Sequence, residues 1–160
     1  MSDDEWAVFG RALSEELQRL ETYAIILLLD PDPRLGQRRF VQFLQNPDHL
    51  RAEVAGDAVE YPPGNLTTGL LTVRQQRLLG AVGWLPPEHD DGDHNWFCRI
   101  AWPATSEEVD RLVDAVVTAL RDVQDTPSPG ALVYRSWLWG NERRKLHIPG
   151  VEPDAGYEAA

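Results

Sequence analysis

The sequence of 160 residues has one cysteine, one lysine and no long apolar segment. The single cysteine, Cys98, excludes an internal disulfide framework. The longest apolar run, Ala24–Leu29, is far shorter than the roughly 20 residues that a membrane-spanning helix needs. The N-terminal residues Met1–Glu5 are acidic, whereas a secretory signal begins with basic residues. We therefore expect a cytoplasmic chain that does not enter a membrane.

Positive charge is also scarce, because 26 acidic residues face 15 basic ones and the formal net charge is -11. This balance disfavours binding to nucleic-acid phosphates and to anionic membrane surfaces. A basic partner would be compatible with it, although solubility is the simpler explanation of an acidic surface. The charge predicts no nucleic-acid partner and no membrane partner.

Catalytic motifs are missing as well. The glycines are scattered, and none forms a phosphate-binding GxGxxG or GxxxxGK[ST] loop. His49 and His147 have no obvious serine, cysteine or carboxylate partner in the local sequence. Cys98 lies in the middle of an apolar strand, where a thiol is an inert core residue. These observations favour a protein that is not an enzyme and needs no cofactor.

The acidic loop 88–94 is the strongest candidate for a metal site. Two imidazoles and several carboxylates occur within it, and zinc and manganese accept both ligand types. Metal sites with fixed geometry usually lie on rigid elements, and this loop contains glycine and no regular pattern. A solvated acidic turn is therefore favoured. A metal-dependent enzyme remains the alternative hypothesis, with the ligands His89, Asp91, Asp93 and His94.

Apolar periodicity predicts three helices. The first and third carry an apolar residue at every third or fourth position, which is typical of helices that cover a core. Capping boxes are predicted at Ser2-x-x-Glu5, at Thr72-x-x-Gln75 and at Thr105-x-x-Glu108. The first stripe consists of Trp6, Phe9, Leu13, Leu17 and Leu20, and the third of Val109, Leu112, Val113, Val116, Val117, Leu120 and Val123.

Short β-rich segments separated by tight turns predict an antiparallel sheet. Tyr23–Leu29, Arg39–Gln45 and Leu50–Ala55 should form a three-strand meander, and Trp96–Trp102 a fourth strand. Ala131–Trp139 is compatible with either a strand or a helical turn. The predicted fold is α+β, with the order α-β-β-β-α-β-α and a short terminal segment. We expect one domain over residues 1–151 and a flexible tail over 152–160.

Tryptophan is abundant, with six residues in a small domain. Several must fill the core, because tryptophan carries a large apolar area. Others alternate along extended segments, so that one face of the sheet could be aromatic and bind a peptide or another subunit. The predicted contact residues are Trp96, Phe97, Trp102, Trp137 and Trp139.

The segment from Leu79 to Trp96 resembles a known family. Gly83-Trp84-x-Pro86-Pro87, a short acidic spacer and Asn95-Trp96 are similar to a signature of actinobacterial YbjN-like proteins. These proteins are related to type III secretion chaperones of the CesT kind, the TY-Chap domains. The resemblance spans roughly 40–151 and includes Leu146-x-Ile148-Pro149-Gly150 near its end.

This resemblance implies an α+β chaperone-like fold without a catalytic centre. Such proteins bind an extended peptide or protein segment, often as dimers, so a peptide, a protein or a second copy of the chain is the expected partner. Secretion chaperones usually pair a fourth and a fifth strand before the last long helix, whereas only Trp96–Trp102 precedes it in this sequence. A structural subunit of a larger assembly is the further alternative.

Overall fold

The computed structural model describes residues 2–35, 39–55, 71–87, 95–138 and 142–155. The helices are α1 (Ser2–Gln18), α2 (Val73–Ala81) and α3 (Ser106–Val117), and α3 continues into a π-helical turn, Thr118–Val123. Short 3-10 turns occur at Pro33–Leu35 and Pro129–Ala131. The strands are β1 (Ile25–Leu29), β2 (Phe40–Gln45), β3 (His49–Val54), β4 (Trp96–Ala101), β5 (Val133–Leu138), β6 (Glu142–Arg143) and β7 (Glu152–Pro153).

The described strands form one sheet in the order β4-β3-β2-β1-β5-β6, and β7 pairs with β5. The predicted antiparallel meander β1-β2-β3 is confirmed, and β4 continues it on the far side of β3. The terminal segment provides β5, which returns to pair antiparallel with β1 at the opposite side of the meander. The α+β class and the predicted order of elements are therefore confirmed.

One face of the sheet packs against α1 and α3. Along β2 and β3, alternate residues are buried, including Val41, Phe43, Leu50, Ala52 and Val54. Every member of the predicted stripe of α1 is buried beneath this face in the same hydrophobic cluster. The helices therefore cover an inner face of the sheet, and the side chains between the buried positions form an outer face.

Helix ends follow the predicted chemistry. The Thr72–Gln75 and Thr105–Glu108 capping boxes are both present, with reciprocal bonds between each side chain and the other residue's backbone N–H. Gly83 has φ +105°, as predicted for a glycine that ends a helix in the left-handed conformation. The side chain of Ser2 lies outside the described residues, so the first box stays a prediction.

The terminal segment contains both of the structures between which its sequence was ambiguous. Pro129–Ala131 forms a 3-10 turn, and Val133–Leu138 forms β5. Trp139 lies outside the described residues.

One domain over 1–151 and a flexible tail over 152–160 stay a prediction, although the first residues of that tail pair with β5. Glu152 and Pro153 pair in parallel with Val133 and Tyr134 of β5. Asp154 accepts a hydrogen bond of 2.7 Å from Nε of Arg135. The sequence did not indicate this because both partners lie about 20 residues away in a strand whose own position depends on distant pairing. Residues 156–160 lie outside the description.

Candidate functional site

The predicted aromatic contact residues do not share one surface. Trp96 points to the inner face and is 7% exposed, and Phe97 points to the outer face and is 4% exposed. The Arg51 guanidinium lies 4.3 Å from the centre of the Phe97 ring and covers it. Trp102 and Trp137 are half-buried. The role of these residues in binding stays a prediction. Among the tryptophans of the set that the structure describes, Trp102 and Trp137 are more exposed than Trp96.

The Gly83-Trp84 segment anchors the chain between α2 and β4. Trp84 is 1% exposed, and its indole N–H donates a hydrogen bond of 3.0 Å to the carbonyl of Ala115 in α3. The carbonyl of Gly83 accepts a bond of 3.3 Å from the thiol of Cys98. These contacts hold the segment beside β4, so the Gly83-Trp84 pair of the signature has a structural role.

Leu85 forms a short bridge along the outer edge of β4. Its N–H donates to the carbonyl of Phe97 over 2.8 Å, and its carbonyl accepts from the N–H of Phe97 over 3.0 Å. Before Leu85, the chain turns away from β4 at Gly83, whose positive φ ends α2. The bridge therefore pairs the outward backbone groups of Phe97 and does not extend to the rest of this edge.

The remainder of the β4 edge has backbone groups that no described residue pairs. Backbone groups alternate in direction along a strand, so Arg99 and Ala101 point away from β3 as Phe97 does. In the part of the chain that is described, no strand or backbone group pairs with this side of Arg99 or Ala101. Both residues are exposed. We call Arg99–Ala101 the free edge.

A groove of about 440 Å³ lies alongside the free edge, between β4 and α3. Its apolar lining comes from strand, helix and the segment before β4, and its charged side chains are Arg99, Glu108 and Arg111. Leu85 is 52% exposed at one side. The apolar lining consists of Val82, Leu85, Phe97, Ile100, Leu112 and Ala115.

The opposite side of the sheet is closed by residues 142–154, which we call the C-terminal strap. β6 pairs with Trp137 and Leu138 at one end of β5, and β7 pairs with the other end. Between them, the N–H of Arg144 donates to the carbonyl of Ser136 over 2.9 Å.

The strap is also fixed to the core by its apolar residues. Leu146, Ile148 and Val151 are 4%, 4% and 5% exposed and belong to the hydrophobic cluster. The backbone N–H of His147 donates to the carboxylate of Glu16 in α1 over 2.9 Å. The strap is therefore an integral part of the fold.

The expectation that His49 lacks a local carboxylate partner is wrong, because its Nδ1 lies 2.7 Å from Oδ1 of the neighbouring Asp48. Among the described residues, no three His, Cys, Asp or Glu side chains are placed to hold a metal ion. The alternative ligands in 88–94 lie outside the described residues. Burial raises the pKa of the Cys98 thiol to about 12, so this thiol is protonated at neutral pH. No helix within the described ranges has the length and apolar character to cross a membrane.

Of the predicted contact residues, Phe97 lines this groove, and the other residues of the lining were missed by sequence reasoning. Arg99 and Arg111 carry no motif, and the free edge depends on which strands pair. Alternation along the fourth strand also predicts that Trp96, Cys98, Ile100 and Trp102 share one face, and all four belong to or pack against the hydrophobic cluster. That signal cannot show whether the shared face is covered by helices.

Comparisons with known proteins identify the family of the chain. Neither the curated proteins nor the solved structures contain a match to this chain. The family model described as "T3SS (YopN, CesT) and YbjN peptide-binding chaperone 3", TY-Chap3, matches residues 1–138. This range includes α1 to β5 and ends before the C-terminal strap. Because the match covers most of the sequence, the chain belongs to the TY-Chap3 family of peptide-binding chaperones.

Proposed function

We propose that this chaperone binds an extended peptide as an added strand on the free edge of β4, and that it acts by binding and not by catalysis. The observation that carries the proposal is the outward, unpaired backbone of Arg99 and Ala101 beside an apolar groove. A peptide added to a sheet edge gains main-chain hydrogen bonds, and pockets for alternate side chains provide selectivity.

The groove supplies those pockets on one side of the added strand. Ile100 points to the inner face, and Leu112 and Ala115 of α3 lie across the groove from it. Apolar peptide side chains directed toward α3 would be removed from water there, which stabilises the complex by about 25 cal/mol for each Å² of apolar surface. Trp102, half-buried just after β4, is the predicted tryptophan nearest to this site along the chain.

The closed opposite edge supports the choice of β4. The strap already occupies the side of β5 away from β1, so a peptide could add there only after the strap had left. Displacing it would expose Leu146, Ile148 and Val151. Binding at β4 requires no such change.

The proposal can be tested with three eight-residue fluorescent peptides in which valine alternates with glutamine, glutamate or lysine. Anisotropy titration compares the unmodified protein with Ala101→Pro. Proline removes an edge N–H, and its ring obstructs an incoming strand, yet edge strands tolerate it. We expect at least one peptide to bind and Ala101→Pro to weaken that binding by about tenfold or more. Ala101→Ser keeps the N–H and serves as the control.

A second measurement leaves the protein unchanged. N-methylation of either the valines or the residues that alternate with them removes the donors along one side of the peptide. Methylation of the set that faces β4 should weaken binding to the unmodified protein as strongly as Ala101→Pro does. If none of the three peptides binds, or if neither modification weakens binding, the β4 edge is not the binding site.

A second copy of the chain is the other occupant that this edge could accept. A twofold axis centred on Arg99 would place two guanidinium groups directly opposite each other, which is unfavourable. We therefore propose that the free edge serves a peptide and not a dimer. Sedimentation at micromolar concentration should show a monomer, and dimerisation abolished by Ala101→Pro would support the second copy. The cytoplasmic location stays a prediction, which cell fractionation would check.

A further inference from the structure

We infer that the peptide taken at the β4 edge alternates carboxylate and apolar side chains, with its carboxylates beside Arg99. This inference rests on the proposed function, because it assigns the chemical class of peptide to the same edge. It also differs from the basic partner with which the overall charge of -11 is compatible.

The charge of the groove differs in sign from that of the whole protein. Its charged lining consists of two arginines, Arg99 and Arg111, and one carboxylate, Glu108. Both arginines are exposed, and neither guanidinium has a hydrogen-bond or ion-pair partner among the residues that the structure describes. Arg99 and Arg111 interact with Asp48 and Glu108 through charge without a hydrogen bond, so the donors of both guanidinium groups stay available to an anionic ligand.

The carboxylate of Glu108 is already engaged and does not neutralise both arginines. Its Oε1 accepts bonds of 3.1 Å from the backbone N–H and from the hydroxyl of Thr105, as part of the cap of α3. The Thr105 backbone N–H, followed by its hydroxyl, holds the pKa of Glu108 below its ordinary value. The three charged side chains therefore leave a positive groove.

The cross-strand register is a second reason to expect a carboxylate of the peptide beside Arg99. Arg99 of β4 lies directly opposite Arg51 of β3 on the outer face. Nε of Arg51 is 3.1 Å from Oε2 of Glu53, so Arg51 has a carboxylate partner. Like charges directly opposite each other are unfavourable, and a carboxylate on the next strand would give Arg99 the partner that Glu53 gives Arg51.

The other flank of α3 provides an internal comparison. A groove of about 590 Å³ between α1 and α3 is lined by three aspartates and two arginines. One of these arginines, Arg121, is bonded to Asp122 at 2.9 Å. The two flanks of α3 therefore differ in charge, and the basic flank is the one beside the free edge. The aspartates are Asp3, Asp110 and Asp114.

Strand geometry sets the order of side chains in the ligand. Successive residues of an added strand point to opposite faces, as they do in β4. Residues beside Arg99 point to the outer face, whereas residues beside Ile100 point to the inner face and meet Leu112. A carboxylate row on the outer face and an apolar row on the inner face match both surroundings.

The test uses the same three valine-containing peptides with charge-reversed proteins. We expect the glutamate peptide to bind more tightly than the glutamine peptide, and the lysine peptide to bind least. Arg99→Glu should weaken binding of the glutamate peptide by about fivefold or more and should change glutamine-peptide binding little, because cross-strand charge pairs contribute up to about 1 kcal/mol each. Arg11→Glu, in the groove between α1 and α3, is the matched control.

The outcomes separate the two proposals. If the glutamine or lysine peptide binds as tightly as the glutamate peptide and Ala101→Pro still weakens binding, the edge site stands and the carboxylate preference is wrong. If Arg11→Glu and Arg99→Glu have equal effects, general charge and not the groove determines selectivity, and the inference is also wrong. A preference for glutamate that Arg99→Glu removes and added salt reduces would support it.

Discussion

The two edges of the sheet meet the chain's own segments in different ways. At β5, the C-terminal strap pairs with both ends of the strand and places three apolar side chains in the core. At β4, the segment before the strand contributes one bridge at Leu85, and the residues that precede Gly83 lie away from the strand in α2. One edge is closed, and the other has, next to a groove, backbone groups that no described part of the chain pairs.

An open edge is usually a hazard, since it can pair with another chain and aggregate. Closing one edge and leaving a short part of the other open restricts such pairing to one place. In this chain the open part is short and carries an arginine, and charged side chains are a common protection of edges. The same arginine can select the peptide that pairs there.

The largest expected effect tests whether the closed edge is structural. Ile148→Ala removes a 4%-exposed side chain of the strap from the core and should lower the free energy of unfolding by about 2–5 kcal/mol. Leu85→Ala at the open edge removes a side chain that is 52% exposed, and we expect a much smaller loss. Urea unfolding measures both. Equal losses would mean that the two edges do not differ in this way.

A smaller effect concerns the cap of α3, which borders the open edge. Thr105→Ala should cost about 1 kcal/mol at neutral pH. Hydrogen bonds from Thr105 lower the pKa of Glu108, so the stability that its carboxylate contributes is present above its unfolded pKa and is lost as the pH falls through the folded pKa. Below about pH 4.5, the ordinary pKa of Glu108, the cost of Thr105→Ala should therefore decrease.

The cap of α2 provides the control for this pH dependence. Thr72 pairs there with Gln75, which does not titrate. Thr72→Ala should cost a similar amount of stability, and that cost should stay constant over the same pH range. A parallel decrease in both variants would mean that Glu108 is not the source of the change.

The smallest expected effect is at the ion pair of the strap. Asp154→Asn removes the charge opposite Arg135, whose side chain is 40% exposed. We expect a loss below about 1 kcal/mol, because solvent and salt screen such a pair. Thermal unfolding at low and high salt checks it, and Asp122→Asn at an exposed pair is the comparison. A loss comparable to that of Ile148→Ala would show that the ion pair, and not apolar burial, holds the strap.

Features that depend on near neighbours in sequence were predictable. The stripe from Trp6 to Leu20, the Thr72 and Thr105 boxes and the Gly83 stop all follow from spacing within a few residues. The meander was predictable because tight turns force consecutive strands to pair.

Features that depend on distant pairing were not predictable. β5 pairs with β1, more than 100 residues earlier, so no local pattern locates the closed edge. The free edge is defined by the absence of a neighbouring strand among the described residues, which the sequence of β4 cannot show. The burial of Trp96 and Phe97 also depends on distant residues, because the core covers Trp96 and Arg51 of β3 covers Phe97.

Amide hydrogen exchange, residue by residue, tests the central claim most directly. The protein is measured by NMR alone and with the alternating valine–glutamate peptide. We predict slower exchange at the N–H groups of Arg99 and Ala101 in the complex, and no change along β5. Slower exchange on β5 or on another surface, with Arg99 and Ala101 unchanged, would contradict the account.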